Sequence, residues 1–153
     1  MELKTGDQAP TFMLPSTQGE ISLETLKGDW VVLYFYPRDD TPGCTTEACD
    51  FRDALPGLNA KVLGVSADDL NSHDKFKDKF SLPFPLLSDE GGKIATDYGA
   101  YGEKKMYGKT YMGIIRSTFI IDPEGNIAEA MYKVKPKDHV SDVANKLTSL
   151  QAG

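Results

Sequence analysis

The clearest feature of the hydrophobic pattern is an unbroken apolar run, Trp30-Val31-Val32-Leu33-Tyr34-Phe35-Tyr36, β-branched and aromatic and closed by Pro37. Such a run predicts a strand buried on both faces, in the middle of a sheet covered by helices. Upstream, residues 9–22 alternate loosely around Gly19 and predict a short N-terminal β-hairpin. Downstream, Thr41-Pro42-Gly43-Cys44 has the form of a helix start, with Thr41 as N-cap and Pro42 in the first helical position. That helix is expected to run to about Asp53, with Pro56 and Gly57 ending it. Residues 61–65 predict the next strand, and strand, helix and strand then form a right-handed crossover between parallel strands.

The pattern continues with a helix over residues 72–80, where Phe76 and Phe80 are four apart, a short strand around 84–87 and a helix near 93–98. Residues 116–121 predict a second buried strand, 122–126 a turn and 127–132 the strand returning from it. A last helix over 137–150 carries Val140, Val143, Leu147 and Leu150 at helical spacing. Residues 99–113, rich in Gly and Tyr, lack periodicity and read as a long loop, either a surface excursion or a functional one. With no linker, repeat or low-complexity tract, residues 1–153 read as one α/β domain, a central mixed β-sheet flanked by helices.

Charge narrows the partners. Seventeen Lys and Arg against 23 Asp and Glu give a net charge of −6, which argues against nucleic acid or an anionic membrane as the main partner. No apolar run approaches the roughly 20 residues of a membrane span. The N-terminal residues 1–7 show no hydrophobic core of a signal peptide, so the cytoplasm is the expected compartment. In that compartment two cysteines suit a transient catalytic pair better than a permanent staple.

The segment between Pro37 and Cys44 joins the C-terminal end of a central strand to a helix N-terminus, a favoured ligand position in open α/β sheets. A sulfur in the first turn of that helix faces unpaired N–H groups and the positive end of the helix dipole, and both stabilise thiolate over thiol. An inert buried cysteine is the plainer alternative. Cys49 follows at C-x4-C spacing, unlike the C-x2-C of thioredoxin-type oxidoreductases and of common zinc half-sites. A zinc site would have to recruit His73 and His139, each of which has a simpler place near the start of a helix.

Pro37-x3-Thr41-x2-Cys44 resembles the peroxiredoxin active-site pattern, and the longer run from Tyr34 to Asp53 is similar to the bacterioferritin comigratory protein (peroxiredoxin Q) subfamily. So are residues 62–66, 82–89 and 116–122, so the resemblance covers nearly the whole chain; only residues 54–60 look a few residues short. The resemblance implies a thioredoxin-like fold and a thiol peroxidase that needs no cofactor and no metal. It matches Cys44 to the peroxidatic cysteine, Cys49 to the resolving cysteine, Pro37 and Thr41 to the other fixed positions of the motif, Arg116 to the active-site arginine and Glu47 to an acidic position that orients it. It also implies an intramolecular Cys44–Cys49 disulfide, peroxide substrates, and thioredoxin or a similar dithiol as reductant. A resolving cysteine in the same chain does not require a dimer, so a monomer is expected.

The chemistry asks for these residue types. Thiolate attack on a peroxide oxygen builds negative charge on the departing oxygen, which preorganised donors must meet. The N–H groups of Gly43 and Cys44, the Thr41 hydroxyl and the Arg116 guanidinium are candidates. Gly43 permits a close backbone approach, and Pro37, without an N–H, screens the sulfur. Plainer readings stand beside these: Thr41 as a simple N-cap, Pro37 as a strand terminator, Arg116 as a surface arginine and Glu47 as an exposed helix residue. A general disulfide reductase and a redox-sensing or holdase-like binding module are the competing functions.

Overall fold

The computed structural model describes residues 2–152. The strands are β1 (Met13–Leu14), β2 (Ile21–Ser22), β3 (Val31–Phe35), β4 (Lys61–Ser66), β5 (Leu86–Ser88), β6 (Tyr101–Met106), β7 (Lys109–Ile114), β8 (Ser117–Ile121) and β9 (Ile127–Met131). The helices are α1 (Pro42–Ala54), α2 (Leu70–Phe80), α3 (Lys93–Asp97) and α4 (His139–Ala152). The central sheet has the order β5-β4-β3-β8-β9. β3, β4 and β5 run parallel, whereas β8 is antiparallel to β3 and β9 to β8. This is the mixed α/β sheet of the thioredoxin-like fold, with the small β1–β2 hairpin ahead of it.

β3 explains why the sheet is central. All five of its residues are buried. Val31, Leu33 and Phe35 enter one core with Leu63, Val65, Phe119, Tyr98 and the N-terminal Ala9 and Phe12. Val32 and Tyr34 point the other way, into a second core closed by Cys44, Ala48 and Phe51 of α1, Phe76 of α2 and Val140, Val143 and Leu147 of α4. Burial of both faces is what the uninterrupted apolar run demanded. Tyr34 stacks on Phe51 with ring centroids 4.7 Å apart, so the strand and the helix that follows it are packed ring on ring.

Three expectations need correction. Residues 99–113 are not a loop: β6 and β7 form a twisted hairpin standing off the central sheet. Its turn, Tyr107-Gly108, has φ of 53° and 76°, the doubly left-handed geometry that suits a two-residue hairpin turn. Most of its described residues keep at least partial exposure, so no alternation between a core face and a solvent face marks it. Arg116 does not open β8 but lies just ahead of it, where its carbonyl accepts the Val134 N–H at 3.0 Å. And α2 begins at Leu70 rather than at residue 72, because Asp69 caps it by accepting the Ser72 N–H at 2.9 Å.

Candidate active site

Helix α1 starts where β3 ends, over the second core. Thr41 occupies the N-cap with an extended backbone (φ −98°, ψ 155°) and Pro42 the first helical position. The Thr41 hydroxyl does not cap the helix, however; it donates to the Arg38 carbonyl at 2.9 Å. Its lone pairs are thereby left to accept a proton donor arriving from solvent. The first helical bond runs from the Thr45 N–H to the Thr41 carbonyl at 2.8 Å. The N–H groups of Gly43 and Cys44 precede it and have no acceptor within the helix.

Cys44 is only 1% exposed. Its Sγ accepts a hydrogen bond from Arg116 Nη2 at 3.3 Å, while Nη1 of the same guanidinium donates to Glu47 Oε1 at 2.7 Å. Glu47 lies one turn after Cys44 on the same helix face and is wholly buried, so it is not an exposed helix residue. Gly43 makes room for this arrangement. A Cβ there would stand 3.0 Å from Pro136 Cγ and 3.2 Å from Arg116 Nη2, so any side chain presses on the guanidinium. Pro37 and Thr41 line one wall of a cavity of about 610 Å³ whose opposite wall is the β6–β7 hairpin, through Tyr101, Lys104, Tyr111 and Met112.

Burial sets the electrostatics. It pushes the Glu47 carboxyl up to about 7, although Arg116 pulls in the opposite direction. Burial also works against the charge on Arg116, but Glu47 and Cys44 outweigh it and raise the guanidinium further. Lys104 is lowered, by burial first and by repulsion from Arg116 second. Beneath Glu47, His139 of α4 brings Nε2 to 3.9 Å from Oε2, and Thr118 Oγ1 lies 2.7 Å from the same nitrogen. Burial lowers His139, so its imidazole is held neutral.

A second cluster pins the loop leading into α1, and sequence reasoning missed it. Asp39 accepts from the Tyr36 hydroxyl, from Ser72 Oγ at 2.8 Å and from His73 Nδ1 at 2.7 Å. Its own N–H donates to Asp68 Oδ2 at 2.7 Å, and His73 Nε2 lies 2.9 Å from the Leu87 carbonyl. Both nitrogens of His73 face acceptors, which only the imidazolium satisfies. Burial disfavours that charge, but the Asp39 hydrogen bond and charge prevail and raise the histidine. One donor atom from each of Asp39, Asp68 and His73 lies within 4.8 Å of the others. The 2.7 Å between Asp39 and His73 is a direct hydrogen-bond distance with no room for an ion between them, so the cluster fits a proton better than a metal. The available signals were Asp69 as an N-cap and a histidine in the first turn of α2; neither points across the chain to Asp39.

The structure thus gathers Cys44, Glu47, Gly43 and Arg116, with Thr41 and Pro37 at the rim. Cys49 stands apart. It is half-buried, lies in the same unbroken helix, and both cysteines are free thiols. In a regular helix five residues rise about 7.5 Å and turn the side chains about 140° apart, for a Cα separation of about 8.7 Å. A disulfide needs less than about 7 Å with converging Cβ vectors.

An arginine turned inward onto a buried helix-terminal sulfur, on a thioredoxin-like sheet, defines a thiol-dependent oxidoreductase of the peroxide-reducing kind. Comparison with known proteins agrees: the chain belongs to the AhpC/TSA family, whose model matches residues 5–130. Within it the relatives are peroxiredoxins. Peroxiredoxin Bcp of Bacillus subtilis is 47% identical over 154 residues, spanning 98% of this chain and 98% of that one. Among solved structures, the Xanthomonas campestris bacterioferritin comigratory protein, studied for its alkyl peroxide reduction activity, matches with a TM-score of 0.86 and 41% identity over 97% of this chain and 98% of its own. A cysteine-to-serine variant of Xylella fastidiosa PrxQ matches with a TM-score of 0.92 and 38% identity over 100% and 99%. The chain is a peroxiredoxin, and its activity is that of a thiol peroxidase.

Proposed function

We propose that Cys44 is the peroxidatic thiol and Cys49 the resolving thiol of an intramolecular cycle that reduces hydrogen peroxide and organic hydroperoxides and is recycled by thioredoxin or a similar dithiol. The observation that carries this reading is the single guanidinium of Arg116 shared between Cys44 Sγ and Glu47. Its permanent charge favours the thiolate and meets the charge that builds on the departing oxygen. The N–H groups of Gly43 and Cys44, unpaired at the helix start, are further donors for that charge, and the Thr41 hydroxyl is free to accept from the peroxide O–H. Pro37 keeps bulk water from the sulfur. The S–O bond forms as the O–O bond breaks, and the leaving oxygen takes a proton to become water or alcohol. The Cys49 thiolate then attacks the sulfenic sulfur, water departs, and an external dithiol reduces the resulting disulfide by exchange. No metal or organic cofactor enters these steps.

The largely apolar cavity beside Pro37 and Thr41 supports acceptance of organic hydroperoxides, as does the alkyl peroxide activity of the Xanthomonas relative. The helical separation of Cys44 and Cys49 requires α1 to unwind between the two steps. Pro42 and Gly43 hold that end weakly, and Thr45 and Thr46 add little helix propensity. The cycle is assigned to one domain acting as a monomer in the cytoplasm, with neither nucleic acid nor membrane as partner. The acidic net charge of −6 supports the latter, and among the described residues no helix is long and apolar enough to cross a membrane.

A coupled assay with thioredoxin, thioredoxin reductase and NADPH tests the reading. Cys44→Ser abolishes peroxide consumption, whereas Cys49→Ser consumes one equivalent, accumulates sulfenic acid and ceases to turn over. Substantial turnover by Cys44→Ser removes the first assignment, and normal cycling by Cys49→Ser removes the second. Oxidised protein in which residues 45–49 remain an unbroken helix contradicts the disulfide.

A further inference from the structure

Arg116 carries one positive charge and has two anionic claimants, Cys44 Sγ at 3.3 Å and Glu47 Oε1 at 2.7 Å. With both acids ionised the buried site holds a net negative charge, which a low-dielectric interior opposes. The two oxygens of Glu47 are not equivalent. Oε1 accepts from Arg116, but Oε2 is buried and has no hydrogen-bond partner among the described residues. An ionised oxygen in that position lacks a donor, whereas a protonated one is itself a donor in need of an acceptor. His139 Nε2 faces this oxygen at 3.9 Å. Thr118 Oγ1, at 2.7 Å from that nitrogen, is its present partner. As a hydroxyl it serves Nε2 as donor or as acceptor, so the histidine is not tied to one tautomer.

We propose that Glu47 and His139 form a buried proton-holding pair that sets how Arg116 is divided between Glu47 and the reacting sulfur, with His139 as the positioning residue and Thr118 its support. The proposal rests on Cys44 as the peroxidatic thiol. While Cys44 is a thiolate, the pair keeps a proton on Glu47 and leaves the guanidinium to the sulfur. When the S–O bond forms and the O–O bond breaks, the negative charge leaves the sulfur with the departing oxygen, which takes up one proton. Glu47 is then the anion remaining beside Arg116, and it ionises and releases one proton. Proton uptake and release balance within the half-reaction.

The groups facing the pair are few. On α1 they are Cys44 and Asp50, the latter raising Glu47. From β3, Tyr34 feels the charge of Glu47. Ahead of β8 stands Arg116, which lowers both Glu47 and His139. On α4 Asp142 raises His139, and the edge of Phe51 meets its ring at 6.4 Å between centroids. Lys104 of β6 feels Arg116 and Cys44 from across the cavity.

Infrared difference spectroscopy on the full chain carrying Cys49→Ser reads the proton directly. Adding peroxide is expected to remove a protonated-carboxyl band and create a carboxylate band, and both changes vanish when Glu47→Gln is added. In the reduced protein a pH titration of the same band separates positioning from packing. His139→Gln, whose amide donates to Oε2, moves the midpoint to lower pH. His139→Leu, which removes the acceptor for the Oε2 proton, also moves it to lower pH, where a mere packing role would move it higher, and Thr118→Val, which frees Nε2 to accept that proton, moves it to higher pH. The pair is overturned if oxidation leaves the carboxyl bands unchanged, if the band survives Glu47→Gln, if His139→Leu raises the midpoint, or if all three substitutions leave it where it was. If the Cys49→Ser protein instead forms no sulfenic acid, the reading of Cys44 falls, while the reduced-state titration still decides the pair.

Discussion

The chain has two histidines, and both are buried against a carboxylate of the active-site segment. His73 meets Asp39, in the loop before α1; His139 meets Glu47, inside α1. The first contact is a direct hydrogen bond in which every partner is satisfied: Tyr36, Ser72 and His73 all donate to Asp39, and Leu87 takes the other ring nitrogen. The second stands off at 3.9 Å and leaves Glu47 Oε2 bare. Accordingly His73 is raised and His139 lowered. A satisfied buried network is rigid, and it holds the loop carrying Pro37 and Thr41 against α2. A half-satisfied one leaves room for the proposed proton site beside the Cys44 sulfur. Similar residue types thus appear once as a fully paired anchor and once with a buried polar atom left unpaired beside Cys44, which is the difference the proposed proton-holding role rests on.

The largest effect separating the two sites is on stability. Asp39→Ala leaves a buried imidazolium unpaired and should cost about 3–5 kcal/mol. Glu47→Gln removes no paired charge from a histidine and should cost far less. Urea denaturation compares them, and equal losses would erase the distinction between anchor and chemical site. Next, Arg116→Ala removes the donor on Glu47 Oε1 along with the cation beside Cys44. It should slow sulfenic acid formation by roughly 100-fold or more, as loss of a preorganised transition-state donor does. Stopped-flow measurement of the peroxide step checks this, and an unchanged rate would make Arg116 structural.

The pH dependence of stability sharpens the contrast further. Glu47 is raised from 4.5 to about 7 in the folded chain, so its contribution is fully present below 4.5 and is lost as pH rises through 7. His73, raised from 6.5, also contributes most below that value and loses its contribution as pH rises through its folded pKa. His139, lowered from 6.5, acts in the opposite sense: its contribution is present above 6.5 and is lost as pH falls through its folded pKa. Glu47→Gln should therefore flatten the decline between pH 4.5 and 7, and denaturation curves across that window that match the parent chain would contradict the buried carboxyl. The smallest effect belongs to Gly43→Ala. Its Cβ must displace Arg116 Nη2 from 3.2 Å or Pro136 Cγ from 3.0 Å. The expected result is a several-fold slower peroxide step for a loss of about 1 kcal/mol or less in stability, relief being available from the flexible guanidinium. A rate equal to that of the parent would mean that the guanidinium position does not limit the reaction.

Much of the site was legible because its signals are local. Pro42 in the first helical position and Cys44 two residues on place a sulfur at a helix N-terminus by chain geometry alone. The apolar run of β3 required a strand with two buried faces, and so a central one. Arg116 and Glu47 entered only through the resemblance to peroxiredoxins, since nothing within a few residues of either says that they meet. The Asp39–His73 anchor and the Thr118–His139 support were not legible, because each joins residues from separate elements whose local surroundings are ordinary. The β6–β7 hairpin escaped for a different reason: little of it is fully buried, so hydrophobic alternation, the usual mark of a strand, was never imposed on it.

Periodicity, helix-start chemistry and charge, read along the chain, determined the α/β class, the central strand, the helix bearing Cys44 and the acidic surface, because each depends on neighbours within a turn or a strand's length. Only the tertiary structure decided which way the Thr41 hydroxyl points, that Arg116 stands ahead of β8 rather than in it, and that one guanidinium spans Cys44 and Glu47. It alone decided as well that the carboxylate facing one histidine is fully paired and the one facing the other is not. Those outcomes depend on angstrom-scale distances between elements far apart in the chain, and on burial, which converts a shortfall of one hydrogen bond into a displaced pKa.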